Sequence, residues 1–168
     1  MLGNTYENEA CSAARALEIA GERWSLLILR NAMFAGMTRF TDFQQSLEIA
    51  PNILSKRLES FVKEGLMTTS KGGSEHLEYT LTAKAQDFKP VIIALTEWGD
   101  KWAAPDGPPI LYQHEGCGGR IEQHLVCKTC ESNVRTKHVV ATKTKMMAIY
   151  KEKISKQIGR AHVCTPVT

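Results

Sequence analysis

The sequence predicts a mainly α-helical fold with one small β-hairpin (α+β), and three observations support this. Apolar residues recur at helical spacing through much of residues 11–103. One stretch, 66–82, instead alternates apolar and polar residues about a Gly-Gly pair, which is typical of a hairpin. The composition then changes at 105–109, PDGPP, which predicts a linker before a cysteine-containing tail.

The first two helices are predicted to follow one another directly. In CSAARALEIAG, residues 11–21, small and apolar side chains share one stripe, and Gly21 ends the helix. The next segment, ERWSLLILRNAMF at 22–34, is apolar on nearly every side. A helix of that kind is buried at the centre of a domain.

Two further helices, at 38–47 and 52–65, are predicted on either side of the short link EIAPN. The first is short and amphipathic, with two phenylalanines and a leucine on one face. The second buries a stripe formed by Leu54, Leu58 and Phe61 and exposes a polar face.

The hairpin has its predicted tip at Gly72 and Gly73. A long helix over 83–103 follows, and Pro90 is expected to kink it or to split it in two. Helix, helix, short helix, tight link, helix and hairpin is the order of a winged helix-turn-helix. Winged helices bind DNA or act as protein-interaction modules without nucleic acid, and the pattern leaves both alternatives open.

The bulk properties agree with a cytoplasmic protein. With 43% hydrophobic and 23% charged residues the composition is ordinary for soluble proteins. No apolar run approaches the roughly 20 residues that span a bilayer, and the start of the chain lacks a signal peptide's basic and apolar regions. No internal repeat is seen in the sequence. No nucleophile elbow, phosphate-binding glycine loop or HExxH motif is found, so the chain is not expected to be an enzyme.

Charge is distributed unevenly along the chain. Residues 1–127 carry 12 Lys and Arg against 16 Asp and Glu, whereas residues 128–168 carry 9 against 2. A basic tail of this kind contacts phosphates or is simply solvated, and charge alone does not distinguish the two. The last eleven residues, IGRAHVCTPVT at 158–168, resemble a translated sequencing adapter, so we expect them to be non-native.

Several motifs resemble those of the HxlR-type winged-helix transcription regulators of bacteria. They are a Cys before the first helix, GERWSLLILR, RFTDF, IAPNILSKRL, EGL, EYTLT and WG, and together they cover about residues 10–100. The resemblance implies a homodimer formed largely by the first and last helices, with a recognition helix and a wing on each subunit. It further implies double-stranded DNA as the partner, with an inverted-repeat operator. Ser12 and Ala85 depart from the family's usual Pro and Gly.

The candidate DNA-reading residues lie mainly on the outer face of the fourth helix. Asn52 can pair with adenine and Lys56 with guanine in the major groove, and Ser55 shares their face. Contacts that set register without reading sequence are expected from residues at helix starts, beside the stripe and at the wing. These are Pro51, Thr38, Arg39, Arg57 and Lys71.

Cys11 is a candidate redox sensor. It precedes the first helix, whose positive dipole end favours a thiolate, and some members of the family sense oxidants or electrophiles through the matching Cys. The departure at Ser12 weakens this transfer. A small hydrophobic side chain packed at the dimer seam is the alternative.

The tail contains a candidate structural zinc site in HEGCGGRIEQHLVCKTC. His114 and Cys117 form one short-range pair and Cys127 and Cys130 a second, with a hairpin expected in the gap between the pairs. His124 is an alternative to His114. Unmetallated thiols and a redox-active CKTC dithiol also remain open, and no cofactor other than zinc is indicated.

The sequence therefore predicts a dimeric, sequence-specific transcription regulator made of five parts. They are a DNA-binding and dimerisation domain at 1–104, a linker at 105–109, a zinc-knuckle segment at 110–135, a basic tail at 136–157 and the non-native residues 158–168. A winged-helix protein-interaction module and a thiol redox protein that uses Cys127 and Cys130 are the alternatives.

Overall fold

The computed structural model describes Tyr6, Glu9 and residues 11–72 and 76–161. Gly73 at the predicted hairpin tip, and residues 162–168 of the segment expected to be non-native, lie outside the described residues. The chain divides into two compact units. One holds residues 19–123, and the other joins the residues before that range to those after it.

The described elements are seven α-helices and two strands, with one 3-10 turn at Thr136–His138. The helices are α1 Ser12–Ala20, α2 Ser25–Phe34, α3 Phe40–Leu47, α4 Pro51–Lys63, α5 Ala83–Gln86, α6 Lys89–Trp102 and α7 Lys145–Ala161. The strands are β1 Met67–Lys71 and β2 Leu77–Leu81. The predicted fold class, mainly α-helical with a two-stranded antiparallel hairpin, is confirmed.

The core of the 19–123 unit lies where α2, α3 and α4 pack together. The predicted stripe of α4, Leu54, Leu58 and Phe61, is completely buried. Leu29 of α2 and Phe43 of α3 are buried in the same cluster. Because one face of α4 is fixed in this core, its opposite face points to solvent, and this determines which side chains a partner can reach.

The turn between α3 and α4 depends on two residues with special backbone geometry. Glu48 ends α3 in the left-handed region, with a φ of 50°. Pro51 occupies the first turn of α4, where its missing N–H leaves no helical hydrogen bond unmade. Gly65, with a φ of 69°, then ends α4 in the usual way.

The hairpin is antiparallel and pairs Met67 with Leu81 at one end and Lys71 with Leu77 at the other. Thr82, directly after β2, links the end of the hairpin to the end of α4. The Thr82 hydroxyl lies 2.7 Å from the carbonyl oxygen of Gly65 and also accepts from the backbone N–H of Ala85.

The segment predicted as one long helix over 83–103 forms two helices, α5 and α6. The split that we expected from Pro90 is therefore confirmed. α5 is a single turn, and α6 begins at Lys89, so Pro90 lies in the first turn of α6, where proline is tolerated. Among the described residues, no helix is long and apolar enough to cross a membrane.

Residues on both sides of the predicted linker, 105–109, belong to the 19–123 unit. Within the 19–123 unit the ring of Tyr112 packs on Phe34, with 4.3 Å between ring centroids, and its hydroxyl is 3.5 Å from that of Thr96. The side chain of Gln123 donates to the backbone carbonyl of Pro90 at 2.6 Å. The 19–123 unit ends at this residue.

Candidate DNA-reading surface and cysteine loops

The outer face of α4 presents the predicted base-reading side chains. Asn52 and Lys56 are exposed and lie one helical turn apart, while Ser55 is half-buried. Pro51 is exposed at the start of the helix, and Ala50 before it makes no side-chain cap. The N-terminal half of α4 therefore offers an amide and an ammonium group on one accessible face.

The residues that open α3 are tied to the hairpin. The backbone N–H of Tyr79 donates to the carbonyl oxygen of Thr38 at 2.8 Å. Next to it, the guanidinium Nε of Arg39 lies 3.5 Å from a carboxylate oxygen of Glu78. These contacts hold the wing against the start of α3, and they partly neutralise a cation that we expected to touch DNA.

The remaining predicted backbone contacts have different surroundings. Arg57 pairs with Glu22 at 3.4 Å, so its charge is shared with a carboxylate at the start of the domain. Lys71 is exposed at the end of β1. Of these two side chains, only that of Lys71 has no ion-pair partner within 4.0 Å among the described residues.

Tyr79 on β2 is the titratable group of this region with a shifted pKa. Burial raises the pKa of its hydroxyl above 10.0, and the nearby negative charge of Glu59 raises it further. Tyr79 stays neutral at physiological pH and acts as a packing residue of the wing.

A tight loop encloses the first predicted ligand pair, within 112–121 (the first loop). Its ends are joined by backbone hydrogen bonds, among them one from His114 N–H to the carbonyl oxygen of Gly119 at 2.8 Å. Gly118 donates back to the carbonyl of His114 and has a φ of 68°. The imidazole Nδ1 of His114 is 3.3 Å from the Sγ of Cys117.

A second tight loop encloses the other pair, within 125–134 (the second loop). The N–H of Cys127 donates to the carbonyl oxygen of Ser132 at 3.0 Å, and Glu131 donates back to the carbonyl of Cys127 at 2.8 Å. Glu131 has a φ of 55°. Hydrogen bonds from the side chain and backbone of Ser132 and from Cys127 lower the pKa of the Cys130 thiol to about 7.

The two loops have the same backbone, displaced by thirteen residues. His114 corresponds to Cys127, Cys117 to Cys130, and both residues that follow the second ligand are left-handed. The shared pattern extends to sulfur, because a backbone N–H two residues after the second ligand bonds to Cys117 in one loop and to Cys130 in the other. The loop backbone is thus repeated, although the two amino-acid sequences share only the second cysteine.

The prediction of a hairpin between the two ligand pairs is wrong. The antiparallel bridges lie around each pair, at Gln113 with Arg120 and at Val126 with Asn133. In the ranges that the structure describes, no three His, Cys, Asp or Glu side chains are grouped as ligands of one metal ion. The zinc site stays a prediction.

Cys11 is exposed and directly precedes α1, and its carbonyl accepts from the N–H of Arg15 at 3.2 Å. It therefore lies at the helix start, as the sequence predicted.

Sequence reasoning missed the partners Glu78 and Glu22, because each lies far along the chain from the arginine it contacts. It also missed the repeated loop backbone, since the two loops share almost no side chains besides Cys117 and Cys130. The signal that could have found it is that both pairs of possible ligands have the same spacing, three positions apart.

Three packed helices, an exposed face on α4 and a hairpin tied to the start of α3 define a winged helix-turn-helix protein of the kind that regulates transcription. The chain belongs to the HxlR-like helix-turn-helix family, whose pattern matches residues 19–107.

Its relatives extend this match along more of the chain. The uncharacterized HTH-type transcriptional regulator Rv3095 of Mycobacterium tuberculosis is 39% identical over 141 residues, 82% of this chain and 87% of that protein. The solved structure of PA1607, a candidate transcription factor, is 32% identical with a TM-score of 0.74 and covers 82% of this chain and 98% of that chain. PA1374 from Pseudomonas aeruginosa, another candidate transcription factor, is 30% identical with a TM-score of 0.58, covering 85% and 99%.

Proposed function

We propose that this protein is a cytoplasmic, homodimeric transcriptional regulator that binds an inverted-repeat operator and reads its bases with α4, without catalysing a reaction. The observation that carries the proposal is the exposed pair Asn52 and Lys56 on a helix whose other face is locked in the core. Asn recognises adenine bidentately and Lys donates to guanine in the major groove, and in helix-turn-helix proteins the N-terminal residues of the recognition helix make such contacts.

An apolar surface on α6 supports the homodimer. Val91, Leu95, Trp98 and Trp102 are exposed at a spacing that puts them on one helical face, and the two tryptophans are 62% and 67% accessible. Contiguous apolar surface of this kind marks an interface. A symmetric dimer would set two copies of α4 about 34 Å apart, one turn of DNA, and so select half-sites at that spacing.

The test begins by selecting bound sequences from a random DNA library and measuring their affinity by fluorescence anisotropy. Asn52→Ala and Lys56→Ala should each weaken operator binding by about 1–3 kcal/mol and relax the preference at one base pair per half-site. Lys63→Ala is the matched control, because Lys63 is exposed at the opposite end of α4. Its effect on specificity should be absent.

Unchanged binding of operator and random DNA by both variants would contradict α4 as the reader. Affinity should also fall steeply with salt, as released counterions require. A protein-interaction module without nucleic acid would instead select no sequence from the library.

Lys71 at the wing is proposed to contact a phosphate. Lys71→Ala should weaken binding to all sequences alike and make the salt slope shallower by about one unit. A change confined to one base pair would reassign Lys71 as a base-reading residue.

The dimer is tested by sedimentation equilibrium. Trp98→Glu places a charge on the apolar face of α6 and should yield monomers with unchanged far-UV circular dichroism. Glu97→Gln, at the half-buried neighbouring position, should leave the dimer intact. A wild type that sediments as a monomer at all concentrations would contradict the proposal.

A second role, oxidant or electrophile sensing, is proposed for Cys11 because its thiol is exposed at the start of α1. Diamide should weaken operator binding by the wild type and leave Cys11→Ser unaffected. If diamide weakens operator binding equally in both proteins, the reactive thiol belongs to another cysteine.

A further inference from the structure

We propose that the second loop is a site of reversible oxidation, in which Cys127 and Cys130 form a disulfide within the loop when a hydroperoxide reaches them. The first loop has the same backbone but lacks this chemistry, because His114 stands at the position that corresponds to Cys127. The inference is independent of DNA reading and of the sensing role proposed for Cys11.

The backbone of the second loop sets the distance between its two cysteines. The carbonyl oxygen of Cys127 accepts a hydrogen bond from the N–H of Glu131 at 2.8 Å, as in one turn of helix. Residues three positions apart on such a turn have Cβ atoms about 5–6 Å apart. A disulfide needs Cβ atoms about 3.5–4.5 Å apart. The bridge therefore requires only a small adjustment of the turn.

The two thiols of the second loop also touch one another. The side chain of Cys127 is in hydrogen-bonding contact with that of Cys130. Cys130 is exposed, whereas Cys127 is half-buried. An oxidant from solvent therefore reaches Cys130 first, and the thiol of Cys127 lies beside it to complete the bridge.

The oxidation takes place in two steps and removes two electrons from the pair of thiols. First, the Cys130 thiolate attacks an oxygen of the hydroperoxide, so that an S–O bond forms, the O–O bond breaks and an alcohol, or water, leaves. Next, the sulfur of Cys127 attacks the sulfenic acid, so that the S–S bond forms and the hydroxyl leaves as water with the proton of Cys127. Two thiols and one hydroperoxide thus give one disulfide, one alcohol (or water) and one water.

The first loop provides an internal comparison for this chemistry. Its Cys117 is exposed and accepts a hydrogen bond from the N–H of Gly119 at 3.4 Å. The side chain beside this sulfur is the imidazole of His114, whose Nδ1 lies 3.3 Å away. An imidazole forms no disulfide, so oxidation of Cys117 within this loop stops at the sulfenic acid. One side chain, rather than the backbone, therefore decides which loop can close.

The test treats the reduced full chain with hydrogen peroxide and maps its cysteines by mass spectrometry. Trypsin cleaves after Lys128, between the two cysteines, so a disulfide within the loop joins peptides 121–128 and 129–135. Chains that run as monomers in non-reducing electrophoresis should contain this joined pair, with the loss of two hydrogens. Dithiothreitol should separate the pair, and Cys11→Ser should form it as the wild type does.

Two further variants test the role of each side chain. Cys127→Ser should lose the joined pair and accumulate the sulfenic acid of Cys130, which dimedone traps. His114→Cys should give the first loop a disulfide of its own, seen as the loss of two hydrogens within tryptic peptide 102–120. Circular dichroism before oxidation shows whether each variant is folded. If His114→Cys does not fold, the wild type and Cys127→Ser still decide the outcome.

Several results would overturn the proposal. One is a folded wild type that forms no joined pair with peroxide, and another is a pair found only in covalent dimers, which would place the bridge between subunits. A pair that forms only after a chelator has removed a bound metal would instead make the two thiols metal ligands. A folded His114→Cys variant that keeps both thiols reduced would show that the shared backbone does not favour closure.

Discussion

The core around α4 and the two cysteine loops are held in shape by different interactions. Leu54, Leu58 and Phe61 are completely buried, and this burial fixes α4. Between residues 112 and 134, by contrast, no residue is fully buried, and the loops are closed by hydrogen bonds between backbone atoms. The loops therefore depend on backbone hydrogen bonds for their shape, whereas the helical part is stabilised by its buried apolar side chains.

The largest difference should come from removing one apolar side chain in each region. Phe61→Ala should lower the free energy of unfolding by about 3–5 kcal/mol, because it leaves a cavity in the core. Val126→Ala in the second loop should change it by less than about 0.5 kcal/mol, since Val126 is 56% exposed. Urea denaturation followed by circular dichroism measures both. Similar losses in the two variants would mean that the loops have a hydrophobic core of their own.

The two regions also differ in the groups that form their hydrogen bonds. In the helical part the side chain of Thr82 fixes the base of the hairpin, whereas the loops are closed by backbone atoms. Thr82→Ala removes the bond to Gly65 and the cap of α5, and should lower the free energy of unfolding by about 1–2 kcal/mol. Thr82→Ser keeps the hydroxyl and should restore most of that loss. If Ser is as unstable as Ala, the methyl group of Thr82 is the part that matters.

A left-handed residue in each region allows a direct comparison of backbone strain. Glu48, with a φ of 50°, and Glu131, with a φ of 55°, both occupy a conformation that costs a side-chain-bearing residue about 1 kcal/mol. Glu48→Gly should raise the free energy of unfolding by up to about 1 kcal/mol. Glu131→Gly should leave the free energy of global unfolding unchanged, because the second loop contains no buried residue. Urea denaturation followed by circular dichroism measures both effects.

The smallest effect concerns pH and is confined to the wing. Because the pKa of Tyr79 is raised above 10.0 in the folded protein, the unfolded chain loses this proton first as pH rises. The corresponding stability is fully present below pH 10.0 and is lost as pH rises through the folded pKa. The free energy of unfolding of the wild type should therefore fall more steeply above pH 10 than that of Tyr79→Phe. If the two stability curves run parallel above pH 10, burial does not raise the pKa of this hydroxyl.

The sequence predicted the helical part well because burial leaves a periodic trace. The stripe at Leu54, Leu58 and Phe61 and the alternation about Gly72 were enough to order the elements into a winged helix-turn-helix. Pro90 likewise indicated that the helix predicted at 83–103 divides in two.

What could not be predicted depends on contacts between distant residues or on backbone torsions. Arg39 and Glu78 are 39 positions apart, and no local pattern links them. The left-handed geometry at Glu131 goes against the preference of that region for glycine, so the residue type gives no sign of it. The packing of Tyr112 on Phe34 was hidden by a linker-like composition at 105–109.

The main-chain closure of the second loop also makes it a site for protein engineering. Lys128 and Thr129 form its exposed tip between the two cysteines, and the bonds that close the loop involve main-chain atoms on either side of them. Exchanging this dipeptide for other residues except proline therefore leaves those bonds intact. A fluorescent or photoreactive side chain installed there would sit beside Cys127 and Cys130 and report on their chemical state from within the intact protein.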